Sequence, residues 1–169
     1  MSHLKLGELV ARVAESKLGI RESGGPNKGK DLQQFFDADD YDPNGAKPGD
    51  DGYPWCAAFV CLCVKEAMHG GTYTFKRPTT ASAFGLEAWS LAQDNSTWTR
   101  KPPARDIQRG DIVVFEFSHC GIATSDIDEQ GYFVTVEGNT NQAGSREGDG
   151  VYRKSRHISK VRSRIRFRV

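Results

Sequence analysis

Three of the four cysteines in this chain fall within one short stretch, YPWCAAFVCLCV, which spans residues 53–64. The nearly apolar run predicts a buried helix that begins at the proline and tryptophan. On such a helix Cys61 and Cys63 point about 200° apart. Cys56 and Cys63 share a face but lie roughly 10.5 Å apart, which exceeds the reach of a disulfide. The spacing also fits no common zinc pattern, so it predicts neither a metal cluster nor local disulfides.

Cys56 differs from its neighbours because it falls in the first turn of the predicted helix. Unpaired backbone N–H groups and the helix dipole stabilise a thiolate there, whereas Cys61 and Cys63 are predicted to be small core residues. A nucleophilic cysteine also needs a base nearby in space. The best candidate is His119, which lies at the predicted reversal between two strands in RGDIVVFEFSHCGIATS. The other histidines fit ordinary surface positions: His3, His69 and His157.

The next predicted strand, GYFVTVEGNTN, ends with two polar residues that could orient the imidazole. Glu137 and Asn139 are two positions apart, so they face the same side while the strand stays extended. A carboxylate or amide beside an imidazole selects its tautomer and turns its other nitrogen towards the nucleophile. The order Cys56, His119, Glu137 and Asn139 therefore predicts cysteine-based catalysis. The alternative is that Glu137 is a solvated residue and that EGN is a plain turn.

The predicted elements place helices before strands, which favours an α+β fold over a parallel α/β fold. We expect one domain over residues 1–169, in which helices pack on an antiparallel sheet of about five strands. The core helix would then bring Cys56 to His119. Helices are predicted near 4–18, 54–68 and 80–93, and strands near 111–117, 121–125, 131–137, 150–155 and 162–168.

The net charge is only +1, but the charges are unevenly distributed along the chain. Residues 31–51 contain seven aspartates and one lysine, and residues 153–169 contain eight lysines or arginines. Each segment fits a solvated surface, and the basic one would also suit a polyanionic partner. The absence of a nucleic-acid motif argues against nucleic acid as that partner.

No apolar run approaches eighteen residues, so the sequence predicts neither a transmembrane helix nor a membrane partner. The first twenty residues predict an amphipathic helix, because charges interrupt their apolar positions, and they do not resemble a secretory signal. We therefore expect synthesis in the cytoplasm without a leader.

Three blocks, PWCAAFV, GDIVVF with SHCGIA, and VEGNTN, resemble the signature blocks of CHAP domains. These are the cysteine, histidine-dependent amidohydrolases/peptidases, within the wider papain-like NlpC/P60 group. LGIRESGGPN and VYRKSR resemble flanking stretches of the family, so the resemblance covers nearly the whole chain. It implies a papain-like fold in which Cys56 is the nucleophile, His119 the base and Glu137 the orienter. Asn139 would complete a tetrad.

The family resemblance implies cleavage of bacterial peptidoglycan, either between N-acetylmuramic acid and L-alanine or within the stem peptide or cross-bridge. A monomeric catalytic module of this kind would act on the wall or in the periplasm. It would arrive there as a phage lysis enzyme released by a holin or as an injected toxin, which would need an immunity protein as its partner. The alternatives are a papain-like amidase or deamidase with a non-wall substrate, and a non-catalytic wall-binding module.

The sequence also offers candidates for substrate contacts and for a metal site. Trp55 could line the groove or lie in the core, and Trp89 could stack on sugar or serve packing. Some CHAP domains hold calcium near the acidic stretch at 37–51, but its acids do not follow an EF-hand spacing. We therefore expect no metal and no cofactor. Cys120 stands where the family usually has an apolar residue such as valine, and we expect it to substitute as a small hydrophobe.

Overall fold

The computed structural model describes residues 5–41, 52–94 and 96–169. Within them the chain forms α1 (Leu6–Ser16), α2 (Gln33–Asp39), α3 (Cys56–Ala67), α4 (Ala83–Leu91), β1 (Ser96–Arg100), β2 (Ile112–Phe115), β3 (His119–Ala123), β4 (Tyr132–Thr140), β5 (Gly150–His157) and β6 (Val161–Phe167). Short 3-10 turns occupy Lys30–Leu32 and Ile158–Lys160. The predicted α+β class is confirmed, because the helices precede nearly all of the sheet.

The sheet contains six antiparallel strands in the order β1-β6-β2-β3-β4-β5, close to the predicted five. The strand absent from the prediction is β1, STWTR, which is short and polar. It pairs with β6 from Ser96 opposite Phe167 to Arg100 opposite Ser163. Because β1 is specified by a partner far away in the chain, its own residues show little of the alternation that predicts a strand. Helix α2 is also absent from the prediction, because it lies in the acidic segment at 31–51, which we expected to be a solvated surface.

Helix α3 is the centre of the hydrophobic core. Every one of its residues is buried except Lys65 and Glu66. It packs against α1 and α2 on one side and against β3 and β4 on the other. A helix without a polar face cannot remain at a surface, so α3 lies in the interior of the fold. The first residue of that helix is Cys56, which lies beside the first two residues of β3, His119 and Cys120.

The basic segment at the end of the chain is largely neutralised by ion pairs within the fold. Arg162 pairs with Glu87 at 3.0 Å, and Arg166 pairs with Asp111 at 2.7 Å. Arg164 pairs with Asp106. These contacts link β6 to α4 and to the segment that leads into β2, so much of the basic charge has a structural role. Among the described residues, no helix combines the length and the apolar character needed to cross a membrane.

Candidate active site

The thiol of Cys56 lies at the start of α3, where the unpaired N–H groups of the first turn favour a negative charge. Cys56 is only 6% exposed, so solvent or a ligand can reach its sulfur from one side only. That side is a depression of about 290 Å³, which we call the Cys56 depression. Its lining residues are Tyr41, Tyr53, Pro54, Cys56, Ala81, Ser82, Ala83, Ser118 and Arg146.

The imidazole of His119 is buried at the first residue of β3. A turn at 116–118, in which Ser118 adopts a positive φ of 57°, completes the reversal two residues earlier than predicted. The ring stacks on Phe115 and Phe117, with centroids 6.1 and 5.8 Å away. Its Nε2 atom lies 2.8 Å from Oε2 of Glu137, which leaves Nδ1 as the nitrogen available to the Cys56 thiol.

Glu137 is held by three further donor groups inside the protein. Thr135 Oγ1 donates to its Oε1 at 2.6 Å, and Arg156 donates from Nε to the same oxygen at 2.7 Å. A second donor of Arg156, Nη2, reaches Oε2 at 2.5 Å. Sequence reasoning missed Arg156, because it belongs to a basic segment and only the pairing of β4 with β5 brings it to Glu137.

Gly121 gives the Glu137 side chain the space it occupies. A Cβ atom added at Gly121 would lie 2.5 Å from Cγ of Glu137, closer than real contacts allow. A glycine inside a strand often marks such a close approach. This was the signal in the sequence that could have located the carboxylate across β3.

The pKa shifts of the three groups favour a thiolate–imidazolium pair. Burial lowers the pKa of His119, but its hydrogen bonds with Cys56 and then Glu137 outweigh that effect and raise it to about 9. Burial likewise raises the pKa of Glu137, but Arg156 and His119 lower it to about 2. The pKa of Cys56 falls well below its usual value, chiefly through a hydrogen bond from Cys120 and, against burial, through His119. Both shifts favour a Cys56 thiolate beside a protonated His119.

Cys120 contributes more than the quiet packing that we expected from the sequence. It is buried like a small hydrophobe, and it lies close enough to Cys56 to help lower the pKa of that thiol. Burial and the neighbouring Cys56 raise the pKa of Cys120, so it stays protonated and acts as a donor. Cys120 is thus buried in the core, as a small hydrophobe would be, and it also affects the charge of Cys56.

Asn139 does not lie beside Glu137 in the way that an extended strand would place it. Its φ is 56°, in the left-handed region, and the pairing shifts from Glu137 opposite Tyr152 to Thr140 opposite Gly150. This bulge interrupts the regular alternation that would place Glu137 and Asn139 on one side of the strand. Neither Oδ1 nor Nδ2 of the buried Asn139 has a hydrogen-bond partner. Asn139 instead lines a second depression, described below.

The two tryptophans suggested for substrate binding both take part in packing. Trp55 is 0% exposed, stacks on Phe35 at 5.1 Å and donates from Nε1 to Glu22 at 2.9 Å. Trp89 packs near Phe75 and donates to the carbonyl of Lys76. A role of either ring in substrate binding stays a prediction.

Two tyrosines form the aromatic wall of the Cys56 depression, and sequence reasoning did not single them out. Tyr41 and Tyr53 meet edge to face, with ring centroids 5.0 Å apart. Tyr53 is fixed by its hydroxyl, which donates to Oδ2 of the buried Asp39 at 2.7 Å. This hydrogen bond gives the wall a defined position beside the thiol.

Within 5–41, 52–94 and 96–169, no group of three or more His, Cys, Asp or Glu residues is placed to hold a metal ion. Residues 42–51, which include most of the acidic stretch considered for calcium, lie outside the described residues. The expectation that residues 37–51 bind no calcium therefore stays a prediction from the sequence.

Comparisons with known proteins agree with this geometry. The CHAP domain model matches residues 48–139, more than half of the chain, so the chain belongs to the CHAP domain family. The crystal structure of a wild type endolysin, LysIME-EF1, has a similar fold, with a TM-score of 0.53 and 18% sequence identity. That match covers 97% of this chain and 64% of the endolysin chain. No curated protein matches the sequence.

Proposed function

We propose that this protein is a peptidoglycan hydrolase that cleaves an amide bond with Cys56 as its nucleophile. The observation that carries the proposal is the buried contact of 2.8 Å between His119 Nε2 and Glu137 Oε2, beside a thiol at a helix start. This is the arrangement that an activated cysteine needs. Membership of the CHAP domain family and the fold shared with an endolysin support peptidoglycan as the substrate.

The reaction follows from the protonation states of the pair. The Cys56 thiolate attacks the amide carbonyl carbon, and the backbone N–H of Cys56 at the helix start stabilises the oxyanion that forms. The C–N bond then breaks as His119 gives its Nδ1 proton to the departing amine. His119, now neutral, removes a proton from water, which attacks the thioester. The C–S bond breaks, and the acid product and the thiolate are released.

Glu137 acts in this scheme by orienting and charging His119. Its contact with Nε2 directs Nδ1 towards Cys56 and stabilises the imidazolium. Arg156 and Thr135 in turn keep Glu137 ionised and in place. Asn139 enters the proposal as the fourth residue of the family pattern, where its amide completes the tetrad.

Digestion of purified peptidoglycan by the wild type and by Cys56→Ala tests the proposal. Mass spectrometry of the products identifies the bond: a free L-alanine amine indicates an N-acetylmuramoyl-L-alanine amidase, and shortened or uncrosslinked stem peptides indicate an endopeptidase. Cys56→Ala should be folded but inactive. If several wall types yield no products with the wild type, the proposal fails, and an amidase or deamidase with a non-wall substrate takes its place.

Such an enzyme would act as a monomer on the wall, either as a phage lysis enzyme or as an injected toxin. Expression in a bacterial host with an added export signal tests this. We expect lysis with the wild type and none with Cys56→Ala, whereas expression without the signal should leave the host intact. A toxin would also be inhibited by an immunity protein encoded beside it. Failure of the neighbouring gene products to inhibit the purified enzyme would exclude the toxin alternative.

A further inference from the structure

A second and larger depression, which we call the Asn139 cleft, lies next to the Cys56 depression. Its volume is about 700 Å³. Two covalent neighbours connect the sites: Arg146 lines the Cys56 depression, and Glu147 lines the cleft. On the other side Glu22 lines the cleft and accepts a hydrogen bond from Trp55, the residue before Cys56. A ligand bound across both sites would therefore pass the nucleophile.

The amide of Asn139 is the feature that indicates a ligand in this cleft. The residue is 0% exposed and lines the cleft, and both its Oδ1 and its Nδ2 lack a hydrogen-bond partner. An unpaired buried amide is unfavourable, because its donor and acceptor have lost their hydrogen bonds to water. The bulge that produces this arrangement also forces Asn139 into the left-handed region. A bound polar group would satisfy the amide.

The charge of the cleft is negative. Three carboxylates line it, those of Glu22, Glu147 and Asp149, and none of its described lining residues is basic. Among the nearby cations, Arg146 lies 3.7 Å from Oε1 of Glu147, and two others are engaged by different groups. Arg21 stacks over the Tyr152 ring at 4.0 Å and donates to backbone carbonyls, and Lys154 donates to the carbonyls of Asn141 and Gln142. The cleft thus presents acceptors to a cationic group.

The size of the cleft and the spread of its acids favour an organic cation over a metal ion. Among the described residues no three acidic or other metal-binding side chains lie close enough to share one metal ion. A volume of about 700 Å³ accommodates several residues of a peptide. Wall peptides carry one such cation, the side-chain ammonium of their diamino acid.

We propose that the Asn139 cleft binds the diamino-acid ammonium of the wall peptide, with Oδ1 of Asn139 and the three carboxylates as acceptors. This inference rests on the proposed function and names the part of the substrate that the enzyme selects. Arg146 beside Cys56 lies 3.7 Å from Glu147 and is 52% exposed, so it can also offer a positive charge to a carboxylate of the same peptide. The positive charge of Arg146 and the negative charge of the neighbouring Glu147 would orient the peptide relative to the thiolate.

The first test compares native peptidoglycan with peptidoglycan whose free amines have been acetylated. Acetylation removes the ammonium charge, and we expect it to lower kcat/KM of the wild type about tenfold or more. The double variant Glu147→Gln, Asp149→Asn should be slower on native substrate and nearly indifferent to acetylation. The matched control is Glu129→Gln, an exposed acid in the turn before β4. Equal rates of the wild type on both substrates would overturn the inference and leave the proposed function standing.

The second test measures binding without turnover. Cys56→Ala protein is titrated calorimetrically with the tetrapeptide L-Ala-γ-D-Glu-L-Lys-D-Ala and with its Nε-acetyl form. We expect at least about tenfold weaker binding of the acetylated peptide, and loss of this difference when Glu147→Gln and Asp149→Asn are added. This result does not depend on hydrolysis, so it would support the cleft even if peptidoglycan were not cleaved. Equal affinity for the two peptides, or no binding of either, would overturn the inference.

Discussion

His119 Nε2 and Glu137 Oε2 lie 2.8 Å apart in the interior, and neither side chain is exposed. A buried ion pair is stable only if its remaining hydrogen-bonding capacity is satisfied. Arg156 and Thr135 satisfy Glu137, which leaves Nδ1 of His119 directed to Cys56. Four elements, α3, β3, β4 and β5, therefore contribute to the surroundings of the Cys56 thiol.

The reactivity of Cys56 should depend on pH as a thiolate–imidazolium pair requires. Its lowered pKa means that alkylation by iodoacetamide should already reach a plateau at neutral pH, whereas a cysteine in a model peptide titrates near ~8.5. Loss of the His119 proton near pH 9 should produce the alkaline limb of kcat/KM. A rate of alkylation that rises steadily from pH 6 to 9 would contradict the ion pair. Burial and raised pKa values should protect Cys61 and Cys63.

Replacement of Arg156 by leucine should impair both activity and the charge state of His119. Without Arg156 the pKa of Glu137 rises and its hold on the imidazolium weakens, so the alkaline limb of kcat/KM should move to lower pH. We expect kcat to fall about tenfold or more and the free energy of unfolding to decrease by about 3 kcal/mol.

Arg153→Leu, an exposed arginine on the same strand, is the matched control for Arg156→Leu. It should leave the pH profile unchanged. Arg156→Lys should recover part of the activity, because it restores one donor of the two. If Arg156→Leu changes the melting temperature but not the pH profile, the role of Arg156 is structural alone.

Replacement of Cys120 by alanine should raise the pKa of Cys56, because it removes the thiol that donates to the thiolate. The onset of alkylation should therefore move to higher pH. Cys63→Ala leaves a similar cavity in the same core and is the matched control. If both variants shift the onset equally, the effect comes from packing and the donor role of Cys120 is wrong.

Gly121→Ala should reduce activity with little change in the surrounding strands. The new Cβ would lie 2.5 Å from Cγ of Glu137, so the carboxylate must move away from His119. We expect kcat to fall about tenfold or more, together with a shift of the alkaline limb to lower pH. Full activity with an unchanged pH profile would show that Glu137 has more freedom than the packing indicates.

The catalytic candidates could be chosen from the sequence because their chemistry and their secondary structure are local properties. The apolar run after Trp55 defines a buried helix, and alternation in β4 defines the strand that carries Glu137. The same reasoning failed at β1, since a short polar strand is specified by its partner β6 and not by its own residues. It failed at Asn139 because a bulge depends on pairing between strands.

The order of nucleophile, base and carboxylate and the class of fold follow from the sequence. Helix starts and strand periodicities depend on residues that are neighbours in the chain. Tertiary structure alone decided which side chains surround them. Arg156 donates to Glu137, Cys120 lies near Cys56, and Asn139 lines an acidic cleft. These contacts join residues that are distant in the chain, so their geometry depends on the strand register and on where α3 packs against the sheet.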